Sequence, residues 1–216
     1  MLRLGSFIFI FLFIVSTHGF TKNQEALCLE KPCLTHALCP DTWLALEAKV
    51  GYFFFSDAKM RKVYDQGGLD LQVSGAFPLY ERWLQVYSSV EYLERHGRSL
   101  RGKQKAKIWE IPLSLGLRSV FPIYQQVHYF ITIGPRYFFV QAHNDSSYVE
   151  RNISENGLGG FANTGFKFFP CANLSLDIFG EYSYGRLHFH SSRHNSYGQT
   201  VQVGGFTFGA GLGYAF

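Results

Sequence analysis

Over the last twelve residues of the chain, mostly large apolar side chains alternate with very small ones. Counted back from the C-terminus, one parity holds Phe216, Tyr214, Leu212, Ala210, Phe208 and Phe206, and the other holds Ala215, Gly213, Gly211, Gly209, Thr207 and Gly205. A period of two is the spacing of a β-strand, whose successive side chains point to opposite faces. One face of this strand is therefore apolar and aromatic, while the other is nearly bare. A soluble β-sandwich buries its large residues, so an exposed aromatic stripe indicates a different environment.

Seven earlier segments repeat the alternation, and the sixth of them has the weakest pattern. They cover residues 44–54, 69–77, 84–92, 109–118, 127–139, 162–168 and 174–184. A length of about ten residues suits a strand that crosses a bilayer at a tilt. Beyond the N-terminus, polar residues or glycines interrupt every apolar stretch, so no transmembrane helix is predicted. Strands that cross a bilayer must close into a barrel, because the acyl chains cannot hydrogen-bond free backbone groups.

The connections between these segments alternate between long and short. The long ones cover residues 56–67, 94–107, 142–157 and 189–199, and the short ones cover 80–83, 119–126 and 170–173. Outer-membrane barrels have long loops outside and short turns in the periplasm. The predicted fold is all-β: a closed, antiparallel, up-and-down transmembrane barrel of eight strands. A soluble secreted β-protein with an apolar ligand inside is the opposite alternative, because its rings would face inward.

The N-terminus predicts export. Arg3 precedes an unbroken apolar run from Phe7 to Val15, and Thr17 and Gly19 have the spacing of a signal peptidase site. We therefore expect a signal peptide over 1–19, a cysteine-rich periplasmic extension over 20–41 and the barrel over 42–216. Without Arg3, 19 basic residues against 16 acidic ones leave a charge of only +3, which indicates no nucleic-acid partner.

The polar parity of the strands predicts an ionic network in the lumen. An eight-stranded barrel is just wide enough for its own side chains to fill. The residues expected there are Glu47, Lys49, Asp70, Glu91, Glu110, Arg118, Arg136, Lys167, Asp177 and Glu181. Mixed charges at this density can pair across the lumen, which buried charges require. Tyrosines and tryptophans near the strand ends predict aromatic girdles at both interfaces; they are Trp43, Tyr52, Tyr92, Trp109, Tyr129, Tyr137, Tyr184 and Tyr214.

On these residues the chain resembles the small outer-membrane β-barrel family that includes OmpX, the OmpA membrane domain and OmpW. The resemblance covers residues 42–216, and its most specific part is the C-terminal segment. It implies that Phe208, Leu212, Tyr214 and Phe216 form the signal read by the barrel-insertion machinery. The family is functionally mixed, so the resemblance implies location and fold better than activity. Its implied location is the outer membrane, with the long loops extracellular.

Four cysteines depart from the family pattern. Cys28, Cys33 and Cys39 precede the first strand, and Cys171 lies in the third short turn. All four would face the oxidising periplasm. Two disulfides are predicted, with Cys28–Cys33 and Cys39–Cys171 as one of three connectivities. Cross-linking between molecules is an alternative, whereas the spacing is poor for zinc.

The second long connection is strongly basic. Arg95, Arg98, Arg101, Lys103, Lys105 and Lys107 stand against Glu94 alone, a net charge of +5. Clustered cations attract phosphates and sulfated sugars. Two interpretations remain open: a solvated loop resting on lipopolysaccharide phosphates, or an adhesive surface for a host polyanion.

The fourth long connection contains His188, His190, Ser191, Ser192, His194 and Ser196. His190 and Ser192 imitate a hydrolase pair, but no acidic residue follows Glu181 to orient the base. We therefore predict no enzyme, cofactor or metal. The predicted function is a structural and surface-interacting barrel. The alternatives are a narrow OmpW-like channel for small hydrophobic molecules and a lipid-modifying enzyme.

Overall fold

The structure is a computed structural model that describes residues 43–64, 67–80, 83–98, 105–144, 152–170, 173–189 and 199–216. The elements within these ranges are β1 (Ala45–Phe55), α1 (Ala58–Val63), β2 (Gly68–Tyr80), β3 (Leu84–Arg98), β4 (Lys105–Tyr124), β5 (Val127–Asn144), β6 (Asn152–Phe168), β7 (Leu174–Phe189), β8 (Gln199–Gln202) and β9 (Gly205–Ala215). The predicted signal peptide and periplasmic extension lie outside the described residues.

The strands form a closed antiparallel ring. Each strand from β1 to β7 pairs with the next one along the chain, β7 pairs with β8 and β9, and β9 pairs with β1. The seam is closed by hydrogen bonds from Trp43 N to Phe216 O (3.0 Å) and from Phe216 N to Leu44 O (2.9 Å). Because β8 and β9 together make one wall strand, the prediction of an eight-stranded up-and-down barrel is confirmed.

The register fixes how far the strands are staggered. One path of paired residues runs round the wall from Phe77 through Val86, Leu117, Ile133, Ala162, Tyr182 and Phe206 to Phe54. The register between β1 and β2 places Phe77 opposite position 44, so the path returns to β1 ten residues further on, at position 54. Strand number and stagger together set the width of a barrel, and at eight strands the interior holds side chains rather than a wide pore.

The outward face of the wall is apolar. Mid-strand residues from five strands, namely Val73, Leu115, Ile133, Ile178 and Phe208, are 57–64% exposed. Aromatic residues flank this band at both ends, as predicted. Tyr52, Tyr92 and Tyr184 are exposed near one end, and Trp43 and Tyr214 near the other. An apolar outward band with aromatic girdles over a polar interior is the arrangement of outer-membrane barrels.

Pairing continues past the ends predicted for several strands. β3 reaches Arg98, where it pairs with Lys105 of β4, and β5 and β6 pair out to His143 and Asn152. Most of the connections predicted over 94–107 and 142–157 are therefore strand. The short turn predicted over 119–126 is also mostly strand, since β4 ends at Tyr124. Strands pair through backbone hydrogen bonds, which do not require alternating apolar side chains. The predicted strand ends were based on that alternation, so they fell short where the pairing continues without it.

The interior of the outer end, which carries the long connections, is apolar. A buried cluster that we call the apolar cap fills it, with Phe53, Phe55, Leu93, Ile108, Phe138, Val140, Ala142, Leu187 and Val203 from the wall and Met60 and Tyr64 from α1 and the residue after it. The sequence predicts an ionic lumen with small residues between the charges, and this prediction is wrong at the outer end. Phe53 and Phe55 share the inward parity of Lys49, so alternation alone could have placed them.

The final wall strand breaks at Val203 and Gly204, between β8 and β9. Gly204 lies so close to β7 that an added Cβ would stand 2.1 Å from the carbonyl oxygen of Ser183. Ser56 N donates to Gly204 O at 3.1 Å and Val203 N donates to Gly185 O at 3.0 Å, so the break stays hydrogen-bonded on both sides. The arrangement ties the start of the first long connection to the rim of the barrel.

In the part of the chain that the structure describes, no helix is long and apolar enough to span a membrane.

Candidate functional site: a basic outer surface over a filled barrel

Glu47 is the centre of one ionic layer in the lumen. Its carboxylate accepts hydrogen bonds from both terminal nitrogens of Arg118, at 2.5 and 3.2 Å, and from Ser74 Oγ at 3.0 Å. Lys49 Nζ lies 2.7 Å from Glu47 Oε2, and Lys167 Nζ contacts Oε1. Lys167 also lies 3.4 Å from Asp177 Oδ2. Two carboxylates thus face three cations, all of them buried.

Aromatic rings that point into the lumen contact the cations of this Glu47 layer. Lys49 Nζ lies 5.3–5.6 Å from the ring centroids of Tyr87, Phe130 and Phe179. The Arg118 guanidinium lies 4.2 Å from the centroid of Tyr87 and 4.9 Å from that of Phe130. A cation over a ring face is attracted by the ring quadrupole, and the attraction is strongest where water is absent. These rings therefore stabilise cations inside the barrel, a role that the sequence analysis missed.

Arg136 is the centre of a second layer. Its Nη2 contacts Glu91 Oε1 and lies 2.6 Å from Glu181 Oε1, while its Nε donates to Ser114 Oγ at 2.8 Å. The Gln72 amide donates a 2.8 Å hydrogen bond to the Glu91 carboxylate, and the Asn163 amide donates one of 2.9 Å to the Glu181 carboxylate. Both Arg118 and Arg136 are at most 2% exposed, so side chains fill the section of the lumen that the two layers occupy.

Two acidic residues predicted for the network are less well paired. Glu110 is 1% exposed, and its Oε2 has no hydrogen-bond partner among the described residues. Asp70 is similar, since among the described residues its Oδ1 has no partner and its Oδ2 accepts a hydrogen bond from Thr207 at 3.4 Å. The structure thus places all ten predicted lumen residues inside, but it joins eight of them in ion pairs.

The prediction of an exposed basic loop is wrong for Arg95. It was expected on the exposed basic connection, but its side chain is 5% exposed and points inward. Its Nη1 donates to the backbone oxygens of Leu69 (2.8 Å) and Glu94 (2.7 Å). The reason is parity: Arg95 continues the inward series of Glu91 and Leu93 along β3, and this spacing was a usable signal.

Glu94 and Lys107 meet on the outward face, on the headgroup side of Tyr92. Glu94 lies 2.6 Å from Lys107 Nζ and accepts hydrogen bonds from Tyr92 (2.7 Å) and from the Trp109 indole (3.2 Å). Lys107 Nζ also stands 4.7 Å from the Trp109 ring centroid. The hydrogen bonds from Lys107 and Tyr92 lower the pKa of Glu94 to about 2. Of the predicted basic residues, Lys107 is therefore already paired.

Four predicted cations remain on this hairpin. The backbones of Arg98 and Lys105 are paired across β3 and β4. Arg101 and Lys103 lie outside the described residues, as do Cys28, Cys33, Cys39 and Cys171 and the residues 190–198 that include His190 and Ser192. In the ranges that the structure does describe, no group of three histidine, cysteine or acidic side chains has the arrangement of a metal site.

No family model matches the chain, and no curated protein matches it. Solved structures do share its fold. OprG from Pseudomonas aeruginosa superposes with a TM-score of 0.58 at 13% identity, over 80% of this chain and 95% of that chain. Outer membrane protein AlkL, solved in DMPC lipid bilayers, gives 0.55 at 11% identity, over 87% and 96%. Neisserial surface protein A gives 0.53 at 15% identity, over 81% and 98%.

The fold is that of the small outer-membrane β-barrels. The predicted resemblance is therefore confirmed, and the apolar belt together with this fold confirms the prediction of an integral outer-membrane protein. The structure places Phe208, Leu212, Tyr214 and Phe216 on the lipid-facing side, 44–59% exposed. Their recognition by the barrel-insertion machinery stays a prediction.

Proposed function

We propose that this small outer-membrane barrel is neither an enzyme nor a conduit, and that it acts through its basic outer surface on phosphorylated or sulfated polymers. The observation that carries the proposal is the contrast between a filled interior and a charged exterior. The Glu47 layer, the Arg136 layer and the apolar cap succeed one another along the lumen. Because side chains fill the lumen, a large ligand would bind at the outer end of the barrel.

The β3–β4 hairpin is the part of that end best suited to an anion. It extends beyond Tyr92 and Trp109, and Glu94 is the only acidic residue in the segment 94–107. Because Glu94 pairs with Lys107, its charge is neutralised locally. The part of this segment from 98 to 105 contains no acidic residue, and it holds Arg98, Arg101, Lys103 and Lys105. Such a cluster attracts polyanions, and salt weakens the attraction.

Binding of heparin and of lipid A tests the proposal. The mature full-length protein would be placed in nanodiscs of neutral lipid and titrated with heparin, and in parallel with vesicles containing lipid A. We expect salt-sensitive binding that the quadruple variant R98Q/R101Q/K103Q/K105Q loses. The matched control R98K/R101K/K103R/K105R keeps the charge and should keep the binding. If the wild type binds neither heparin nor lipid A, the proposed function is wrong.

The channel for small hydrophobic molecules is the alternative that the apolar cap favours, because its walls would accept an apolar guest. Below the cap, however, such a guest would have to pass the buried Arg136 and Glu47 layers. We expect no steady current steps when the protein is inserted in a planar bilayer. Stable conductance of the wild type, lost on blocking substitutions in the lumen, would support the channel instead.

A further inference from the structure

Helix α1, within the first long connection, has an apolar underside and a cationic upper side. Met60 and Tyr64, four residues apart and thus on one face of the turn, are 7% exposed and belong to the apolar cap. Backbone hydrogen bonds from Arg61 N to Asp57 O (3.1 Å) and from Tyr64 N to Met60 O (2.9 Å) hold the helical turns. Arg61 and Lys62 are exposed. The helix therefore lies over the mouth of the barrel with two cations facing out.

Gly97 joins this helix to the basic hairpin. A Cβ added to Gly97 would stand 2.1 Å from the carbonyl oxygen of Val63 and 2.9 Å from Tyr64 Cδ1, so only glycine permits the approach. Val63 follows Lys62, and Gly97 precedes Arg98. Since neighbouring Cα atoms are 3.8 Å apart, the Cα atoms of Lys62 and Arg98 lie within about 14 Å of each other. The backbones of Lys62 and Arg98 therefore lie on neighbouring parts of the outer end.

We propose that Arg61 and Lys62 of α1 and Arg98 of the hairpin form one cationic surface that binds a linear sulfated polysaccharide from outside the cell. This inference rests on the proposed function and selects one of its two ligand sources. Lipopolysaccharide surrounds the lipid-facing wall, whereas α1 packs on the apolar cap above the lumen. A ligand that contacts Arg61 and Lys62 must therefore lie across the mouth, where membrane lipids do not reach.

The test compares R61Q/K62Q with the wild-type protein in neutral-lipid nanodiscs. Two exposed charge contacts are expected to weaken heparin binding about three- to tenfold and to lower the salt concentration that elutes the protein from immobilised heparin. The charge-conserving variant R61K/K62R should bind as the wild type does. Arg186 provides a positional control, because it is an exposed cation on the lipid-facing side of β7, 5.4 Å from the Tyr184 ring centroid. R186Q should leave heparin binding unchanged.

A lipid A arm separates the two ligand sources. We expect R61Q/K62Q to bind lipid A vesicles like the wild type, with heat-modifiable gel migration showing that each variant is folded. If R61Q/K62Q retains full heparin binding while the hairpin quadruple variant loses it, this inference is overturned and the proposed function stands. It is also overturned if the wild type binds lipid A but not heparin. Loss of both ligands in R186Q would equally contradict it, because the contact would then lie on the outer wall.

Discussion

Glu47 and Glu110 offer a matched pair of buried carboxylates with opposite surroundings. Both are at most 2% exposed, and both point into the lumen. Glu47 contacts Arg118, Lys49 and Lys167, whereas no ion pair joins Glu110 to a cation among the described residues. Changing Glu47 to Gln leaves three buried cations, of which Lys167 still has Asp177 3.4 Å away. Changing Glu110 to Gln replaces a buried carboxyl group that lacks an ion-pair partner by an amide of the same size.

The expected magnitudes differ clearly. Breaking a buried ion pair by removing one partner costs about 3–5 kcal/mol, because the remaining charge stays in a low-dielectric environment. We therefore expect E47Q to lower the free energy of unfolding by about 3–5 kcal/mol. E110Q should change it by less than about 1 kcal/mol or raise it, since the substitution breaks no ion pair and a neutral amide costs no more to bury than a carboxyl group that has no cation beside it.

Equilibrium unfolding in guanidinium from lipid vesicles measures both values, with tryptophan fluorescence and heat-modifiable migration as the two readouts. Adding K49M to E47Q should recover part of the loss, because it removes one of the stranded cations. A double-mutant cycle gives that coupling, which is expected to be about 0.5–3 kcal/mol. Equal destabilisation by E47Q and E110Q would refute the reasoning, since it would mean that ion pairing does not distinguish the two sites.

Three further predictions concern the wall, the helix and the outer interface. Leu115 is 57% exposed on the lipid-facing side. The substitution L115R should therefore lower the free energy of unfolding in vesicles by about 2–4 kcal/mol, and an unchanged value would contradict a bilayer-facing wall. G97V should displace α1 and speed trypsin cleavage at Arg61 and Lys62, whereas G75A, with no contact shorter than 3.7 Å, should not; equal rates would refute the tie at Gly97. The pKa of Glu94 is lowered to about 2, so its carboxylate stays ionised below the pH at which a free glutamate is protonated. Its contacts to Lys107 and Tyr92 are therefore lost only as the pH falls through about 2. Tryptophan fluorescence should therefore change near pH 2 in the wild type and not in E94Q; a midpoint near 4.3, the value of a free glutamate, would disprove the contacts to Lys107 and Tyr92.

The sequence by itself determined the wall of this barrel. Side chains alternate with a period of two whatever the tertiary partners are, so the strands and their lipid-facing residues, such as Leu115 and Phe208, followed from local pattern. Closure followed as well, because free strand edges cannot exist in acyl chains. The inward position of Glu47, Arg118 and Arg136 required only parity. Parity would also have placed Arg95 inside, but its basic neighbours led to the prediction of a surface loop, which is wrong for this residue.

Only the tertiary structure decided which inward residues meet. Glu47 and Arg118 are 71 residues apart in the chain, and Glu47 and Lys167 are 120 apart. Their contacts depend on the number of strands and on the ten-residue stagger round the wall, which no single strand encodes. The same holds for α1, whose six residues give no helix signal that stands without the apolar cap beneath it. Alternation is a local property of each strand, whereas pairing across the lumen is a property of the closed ring.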